Sequence, residues 1–372
     1  MGKIATFHGE IETPAFVPVA TKGTLKSLTP KQVKEVGVKV AFVNCYHLVT
    51  HPGVEIIEKA GGIHGFSKLE VPLMSDSGGF QVFSLATGKR KAKVFGEEEP
   101  LVEKISEDGV KFRSTYDGTL VEFTPEKSIE YQKKIGADLI MAFDECLDCG
   151  ADHVYAKKSM ERTHEWLKRC IRSSTIDFRI SNIKNQKFQF LYGIIQGGKY
   201  ENLRKESAKF VVSQNTDGVA IGGVSVGETK EEMRQQVSWV SEYLPEDKPV
   251  HLLGVGHADD ILDLVGYGID TFDCVEPTRL ARMGTIYQIQ ISNFKFQRWE
   301  KIDINKTIYK DNLERVDENC ECYVCQNFTK AYLYHLFKQK ELLGYTLATY
   351  HNLWVMKRFM ESVRESIRRN EI

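Results

Sequence analysis

No run of about eighteen apolar residues occurs in this chain, the length a helix needs to cross a bilayer, and the opening Met1-Gly2-Lys3-Ile4-Ala5-Thr6 contains no apolar signal core. A cytoplasmic protein with no membrane association is expected. Charge of one sign is missing too. The net charge is −1 over 372 residues, so bulk charge does not announce a nucleic-acid binder. Tight Gly-rich phosphate loops are absent, as are internal repeats and low-complexity tracts. Eight cysteines in a chain with no export signal are read as thiols or metal ligands rather than a disulfide framework. What remains is an ordinary globular composition, with 42% hydrophobic and 27% charged residues. The length fits two or three domains, or one eight-fold α/β barrel.

The positive signal is four strand-like apolar runs that each end in an acid or an amide: Val71 to Asp76, Asp138 to Asp144, Phe190 to Gln196 and Ile269 to Asp273. Desolvating a carboxylate at the end of a buried strand costs several kcal/mol unless it is paired. Each acid alone could cap the next helix. Four together predict one polar rim, the place where parallel α/β architectures keep their chemistry.

Strand-like runs at 14–20, 38–44, 72–76, 138–144, 188–196, 218–221, 250–255 and 269–273 alternate with helical periodicity at 30–36, 125–135, 156–172, 200–212, 230–243 and 258–267. Thr29 before Pro30 and Thr124 before Pro125 are helix starts. Gly37, Gly136 and Gly268 are helix stops. Eight such units predict a (β/α)8 barrel, with a doubly wound open sheet as the alternative. A Glu/Lys-rich stretch at 91–122, with a turn signature at Tyr116-Asp117-Gly118, is expected to be an antiparallel insertion after the third strand. The barrel is assigned to 1–284, and 285–372 to a metal-bearing, helix-rich subdomain packed on it.

Cys320-Glu321-Cys322-Tyr323-Val324-Cys325 places three thiols where they can wrap one tetrahedral ion. The fourth ligand is sought in His335 or His351. A helix running on from the thiol turn would carry His335 away, so His351 is preferred. A Cys3His site leaves no position for water and is structural zinc; buried reduced thiols are the bland alternative. Basic sets at Lys157, Lys158, Arg162, Lys168 and Arg169, and at Lys357, Arg358, Arg364, Arg368 and Arg369, are read as solvated helix faces. Arg279 and Arg282 differ, since they directly follow the Asp273 strand end.

At the rim, Asp76-Ser77 is followed by Gly78-Gly79-Phe80-Gln81, Asp144 by Glu145-Cys146, and Gln196 by Gly197-Gly198; Gly222-Gly223 and Leu253-Gly254 end two further strands. A flat heterocycle with donors and acceptors suits these groups. Asp144 would accept from ring N–H groups, Gln196 and a glycine N–H would donate to a carbonyl, and Phe80 would stack. The runs Ser75-Asp76-Ser77-Gly78-Gly79-Phe80-Gln81, Phe143-Asp144-Glu145-Cys146, Ile195-Gln196-Gly197, Ile221-Gly222-Gly223, Gly254-Val255-Gly256 and Phe272-Asp273-Cys274-Val275-Glu276-Pro277-Thr278-Arg279 closely resemble the tRNA-guanine transglycosylases of bacteria. The resemblance covers nearly the whole chain, in order, with the N-terminus trimmed relative to a typical member. The spacing of Cys320, Cys322, Cys325 and His351 resembles that family's zinc site, one ion per subunit.

The resemblance implies exchange of the wobble guanine of His, Tyr, Asp and Asn tRNAs for a 7-deazaguanine base in queuosine biosynthesis. It implies Asp273 as nucleophile, forming a covalent enzyme–RNA intermediate, and Asp76 as acid/base. Phe80, Asp144, Cys146, Gln196, Gly222, Gly223, Leu253 and Gly254 then line the base pocket, while Arg279 and Arg282 are expected on RNA phosphates. Phe80 and Leu253 stand where many bacterial members have Tyr and Met, and Leu147-Asp148-Cys149-Gly150 also departs from the usual sequence. Cys146 and Val226 match residues associated with the small aminomethyl base. Direct use of queuine, a noncatalytic tRNA-binding partner subunit and a generic two-carboxylate barrel hydrolase are the alternatives. A homodimer is expected from the family.

Overall fold

Eight short parallel strands make the centre of the molecule, in a computed structural model that describes residues 1–84, 101–114, 116–180, 189–292 and 295–372. In chain order they are β1 (Ala15–Pro18), β2 (Ala41–Val43), β3 (Leu73–Ser75), β4 (Leu139–Met141), β5 (Phe190–Ile195), β6 (Gly218–Ile221), β7 (Val250–Leu252) and β8 (Thr271–Cys274). Their spatial order is β1-β8-β7-β6-β5-β4-β3-β2. A parallel bridge between Val19, just past β1, and Phe42 in β2 joins the two ends. The Ala20 N–H donates to the Phe42 carbonyl at 2.6 Å across the same seam. An open doubly wound sheet would leave two free edges, so the ring bears out the predicted (β/α)8 barrel.

Each predicted strand is present and mostly shorter than its apolar run. The runs continue past the ladders because side chains alternate between two buried faces. Val17, Phe42, Met74, Met141, Tyr192, Ile194 and Ala220 fill the barrel interior. Phe16, Val43, Leu73, Ile140, Ile195 and Phe272 face the surrounding helices.

The helix signals hold at most sites. Thr29 caps Pro30–Val36 with a full capping box, closed by Gly37 at φ 85°, and Thr124 caps Pro125–Ile135, closed by Gly136 at φ 75°. Gly268 does not cap its helix: Ala258–Val265 ends at Gly266 in right-handed conformation, and Gly268 takes its positive φ in the following turn. Three short helices between β2 and β3, Cys45–Thr50, Val54–Lys59 and Gly62–Ser67, escaped the periodicity. Pro52, Gly53, Gly61 and Gly62 cut that stretch into pieces too short to show a 3.6-residue repeat.

A hairpin of Lys3–Thr6 and Gly9–Glu12 lies below the barrel. Asp138, just before β4, ties it there: its carboxylate accepts from the Leu73 N–H at 2.9 Å and lies 2.8 Å from His8 Nδ1. The expected insertion is a three-stranded antiparallel sheet, Leu101–Ser106, Gly109–Arg113 and Leu120–Phe123; positions 91–100 of that expectation lie outside the described residues. After β8 and Glu276–Arg282 come an antiparallel ribbon, Thr285–Ser292 with Lys295–Asp303, and the helices Tyr323–Asn327, Lys330–Lys338 and Leu342–Arg368. The last helix packs on Glu276–Arg282, Pro30–Val36 and β1, and so docks the C-terminal subdomain on the barrel.

The basic helix faces are mostly paired with acids: Lys168 with Glu165 at 2.7 Å, Arg169 with Glu126 at 2.7 Å, and Lys357 with Glu361 at 3.2 Å. Among the described residues no helix is long and apolar enough to cross a membrane.

Candidate active site and metal centre

All eight strands point the same way, so their C-terminal ends bring Asn44, Asp76, Asp144, Gln196, Gly222, Leu253 and Asp273 to one rim. Asp76 follows β3 and is held by donors: the Cys45 N–H at 2.6 Å, the Asn44 amide nitrogen and the Gly78 N–H. Asn44 also caps Cys45–Thr50 by accepting from the His47 N–H at 3.0 Å. It was missed in the sequence, where its only signal was a polar residue ending a strand. Asp273, in β8, accepts at Oδ1 from the Gly254 N–H at 2.9 Å. His251 Nε2 lies 3.2 Å from the same oxygen.

Asp144 and Gln196 form the buried floor. Ser77 donates to one Asp144 oxygen at 3.1 Å, and Gln196 Nε2 to the other at 2.8 Å. Gln196 Oε1 is buried without a partner, as is Glu228 Oε1, whose second oxygen accepts from the Val226 N–H at 2.6 Å. The orphan Gln196 acceptor differs from the donor role expected of that amide. An unpartnered acceptor on Gln196, beside Asp144 and Gly223, suits a ligand that brings an N–H donor to the floor.

Arg204 was also missed, because a single arginine in an amphipathic helix carries no distinguishing signal. It is fully buried and donates to the carbonyls of Gly198 at 2.7 Å, Gly222 at 3.0 Å and Gly223 at 2.5 Å. One guanidinium thereby holds two rim loops in register. Two glycines are sterically required. A Cβ on Gly79 would lie 2.4 Å from the Asp144 carbonyl oxygen, and one on Gly223, at φ +62°, would lie 2.5 Å from Gln196 Oε1.

The site is electrostatically loaded. Burial pushes Asp76 up to about 7, against the Cys45 and Gly78 N–H groups that favour its anion, and the nearby negative Asp273 and Asp144 add to the rise. Burial likewise raises Asp144 to about 6, with Gln196 and Ser77 opposing, and drives the Cys146 thiol far above its usual range. Both acids therefore bind protons in the folded state that they release in the unfolded one. Their contribution to stability is intact below about pH 4 and is lost as pH rises through 6 to 7. The expected result is a melting temperature that falls between pH 5 and pH 8, with a shallower slope in Asp144→Asn. Calorimetry across that range checks it, and parallel slopes in the two proteins would count against a strained Asp144.

The other expected residues separate. Phe80 stands at the start of the helix Gly79–Ser84 and is 45% exposed, leaving its ring available for stacking. Leu253 packs on the barrel interior. Cys149 in the unusual loop lies against Gly227, beside Val226. Glu145 leaves the rim: it is buried beside Arg162 and accepts from the Tyr155 hydroxyl at 2.7 Å. Arg279 is exposed beyond Asp273, while Arg282 donates to the Thr278 carbonyl at 2.7 Å.

Far along the chain, Cys320, Cys322, Cys325 and His351 converge, all fully buried. His351 Nδ1 lies 3.7, 3.5 and 3.3 Å from the three sulfurs in turn. The N···S edge of a tetrahedron with Zn–N near 2.0 Å and Zn–S near 2.3 Å is about 3.5 Å, so the donor set fits zinc in spacing and chemistry. His351 Nε2 lies 2.6 Å from the Tyr287 carbonyl, which leaves Nδ1 free to bind metal. His335 is exposed on Lys330–Lys338 and belongs to no such cluster among the described residues. The four residues form a structural zinc site with no open position.

Comparison with known proteins agrees with the geometry. A family model described as Queuine tRNA-ribosyltransferase matches residues 1–372. A curated protein of that name from Thermoanaerobacter pseudethanolicus is 45% identical over 372 residues, covering 100% of this chain and 91% of its own. Its namesakes from Dictyoglomus turgidum and Staphylococcus aureus are 43% and 41% identical over the whole of this chain, covering 88% and 90% of theirs. With the barrel, the rim and the zinc site in place, the chain belongs to the queuine tRNA-ribosyltransferase family, in its bacterial form.

Proposed function

We propose that this protein is a tRNA-guanine transglycosylase of queuosine biosynthesis, exchanging the wobble guanine of His, Tyr, Asp and Asn tRNAs for 7-aminomethyl-7-deazaguanine. The observation that carries this reading is the pair of rim carboxylates, Asp76 and Asp273, set beside a floor of buried acceptors. Asp273 attacks the ribose anomeric carbon, the bond to guanine breaks, and a ribosyl–Asp273 ester forms; the incoming base then displaces Asp273. Two displacements at one carbon retain its configuration, as in retaining glycosidases. Asp76 protonates the departing base and deprotonates the incoming one. Its elevation to about 7 suits a group that must hold and release a proton near neutrality.

Asp144, Gln196 and Glu228 supply acceptors for the N–H edge of a purine-like base. Phe80 and Leu253 cover its faces, Gly222 and Gly223 let its edge approach the backbone, and Gly254 holds Asp273. The RNA backbone runs over Arg279 and Arg282. Residues 1–284 form the catalytic barrel, while 285–372 carry the zinc and the homodimer contact. Labelled guanine and deazaguanine bases offered with a transcript of one of the four tRNAs test the reading. Incorporation at the wobble position is expected, and no exchange with any of them would overturn it.

Preference for the aminomethyl base over queuine rests on the branched side chain of Val226, in the loop after β6, whose backbone N–H donates to Glu228. Queuine carries a bulky cyclopentenediol that must pass there. Val226→Gly is expected to raise queuine incorporation about tenfold or more, in line with the value of a few methylene-sized contacts, and to leave guanine exchange nearly unchanged. Efficient queuine use by the unaltered enzyme would contradict the steric argument.

A further inference from the structure

His251 sits in β7 beside the proposed nucleophile, and its surroundings leave it little freedom. It is fully buried, one strand away from Thr271 in the β7–β8 register, and its ring stacks on Phe42 across the barrel at 5.7 Å between centroids. Burying an imidazole among apolar side chains is costly unless both nitrogens are satisfied. Here both are: Nδ1 lies 2.8 Å from Thr271 Oγ1, and Nε2 lies 3.2 Å from Asp273 Oδ1. An ionised carboxylate can only accept, so Nε2 carries the hydrogen, and the Thr271 hydroxyl then donates to Nδ1. This single tautomer satisfies every group without placing a further charge in the barrel.

Asp273 Oδ1 thus receives two hydrogen bonds, from His251 and from the Gly254 N–H at 2.9 Å. Oδ2 has no hydrogen-bond partner among the described residues. The two oxygens of one carboxylate are therefore unequal before substrate arrives.

We infer that His251 is a positioning residue that selects Oδ2 as the attacking atom and keeps Oδ1 as the carbonyl oxygen of the ribosyl ester, with Thr271 setting its tautomer. The inference rests on the assignment of Asp273 as nucleophile. In the first step an Oδ2 lone pair forms the bond to the anomeric carbon, and the electron pair of the breaking C–N bond leaves with the base. In the second step the Oδ2–carbon pair returns to the carboxylate. The charge recovered on Oδ1 is met by the His251 and Gly254 N–H groups already aimed at it. His251 neither gains nor loses its proton, so its role is geometric and electrostatic.

The test compares His251→Leu, which removes the donor, with His251→Gln, whose amide can place an N–H near the Nε2 position. Steady-state exchange and rapid-quench formation of the RNA adduct are measured for each. His251→Leu is expected to lower kcat and the adduct rate together by about a hundredfold, the scale of a small misplacement of a reacting group, with KM for tRNA within about twofold. His251→Gln should recover most of that loss. If His251→Leu does not fold, Thr271→Val, nearly the same shape, carries the test with an expected loss of about threefold to tenfold for a misaligned donor. Unchanged adduct rates in the folded variants, or His251→Gln no better than His251→Leu, would reduce His251 to packing and overturn the inference. Failure of the underlying reading looks different: the unaltered enzyme would form no adduct, or Asp273→Asn would still form one.

Discussion

Asp273→Asn is expected to form no covalent enzyme–RNA adduct and to lose base exchange by a factor on the order of 10⁴ or more, the scale seen when a covalent nucleophile is removed. The amide keeps the size of the side chain and can still accept the Gly254 N–H through its oxygen. The fold should therefore survive while the attacking oxygen at Oδ2 is replaced by a poor nucleophile. tRNA affinity should stay within a few-fold, because the proposed phosphate-binding residues Arg279 and Arg282 are unaltered. Denaturing gels with labelled tRNA read the adduct directly. Asp76→Asn separates the two acids: its nucleophile is intact, so a slow trace of adduct should remain while turnover collapses for want of a proton carrier. A stable adduct in Asp273→Asn would return the nucleophile to another rim group.

The second large effect is on folding rather than chemistry. His351→Ala is expected to leave the protein without zinc and to cost much of the stability of 285–372, since binding free energies in closed zinc sites reach about 10 kcal/mol or more. The three thiols would be left buried around a cavity, and His351 would no longer brace the Tyr287 carbonyl. His335→Ala should keep one zinc per chain and melt like the parent. Metal analysis and thermal unfolding of the two variants decide the ligand. A full zinc complement in His351→Ala would show that another residue completes the site.

Much of this architecture could be read from the chain because its signals are local or periodic. Thr29-Pro30 and Thr124-Pro125 mark helix starts by chemistry that operates within one turn. Eight apolar runs alternating with helices leave few topologies, because parallel strands need crossovers of one hand. The three carboxylates and one amide that close four of those runs can be placed at the rim without coordinates, since every strand of a parallel barrel ends on the same side. Three cysteines within six positions announce a metal before any fold is known.

What stayed hidden depends on contacts between residues far apart in the chain. Asn44 meets Asp76, Arg204 meets Gly222 and Gly223, and Glu228 keeps one buried oxygen without a partner. Nothing local distinguishes these residues from a helix cap, a surface cation or a loop acid. The same holds for His251, whose partners Phe42, Thr271 and Asp273 come from two other strands, and for Glu145, whose motif suggested a rim acid until Arg162 and Tyr155 claimed it. The residues and their order were enough to set the barrel, the metal and the two acids, because those follow from patterning and from ligand chemistry. Protonation and orientation were settled by tertiary structure alone, because burial and neighbouring charge exist only after the chain has closed on itself.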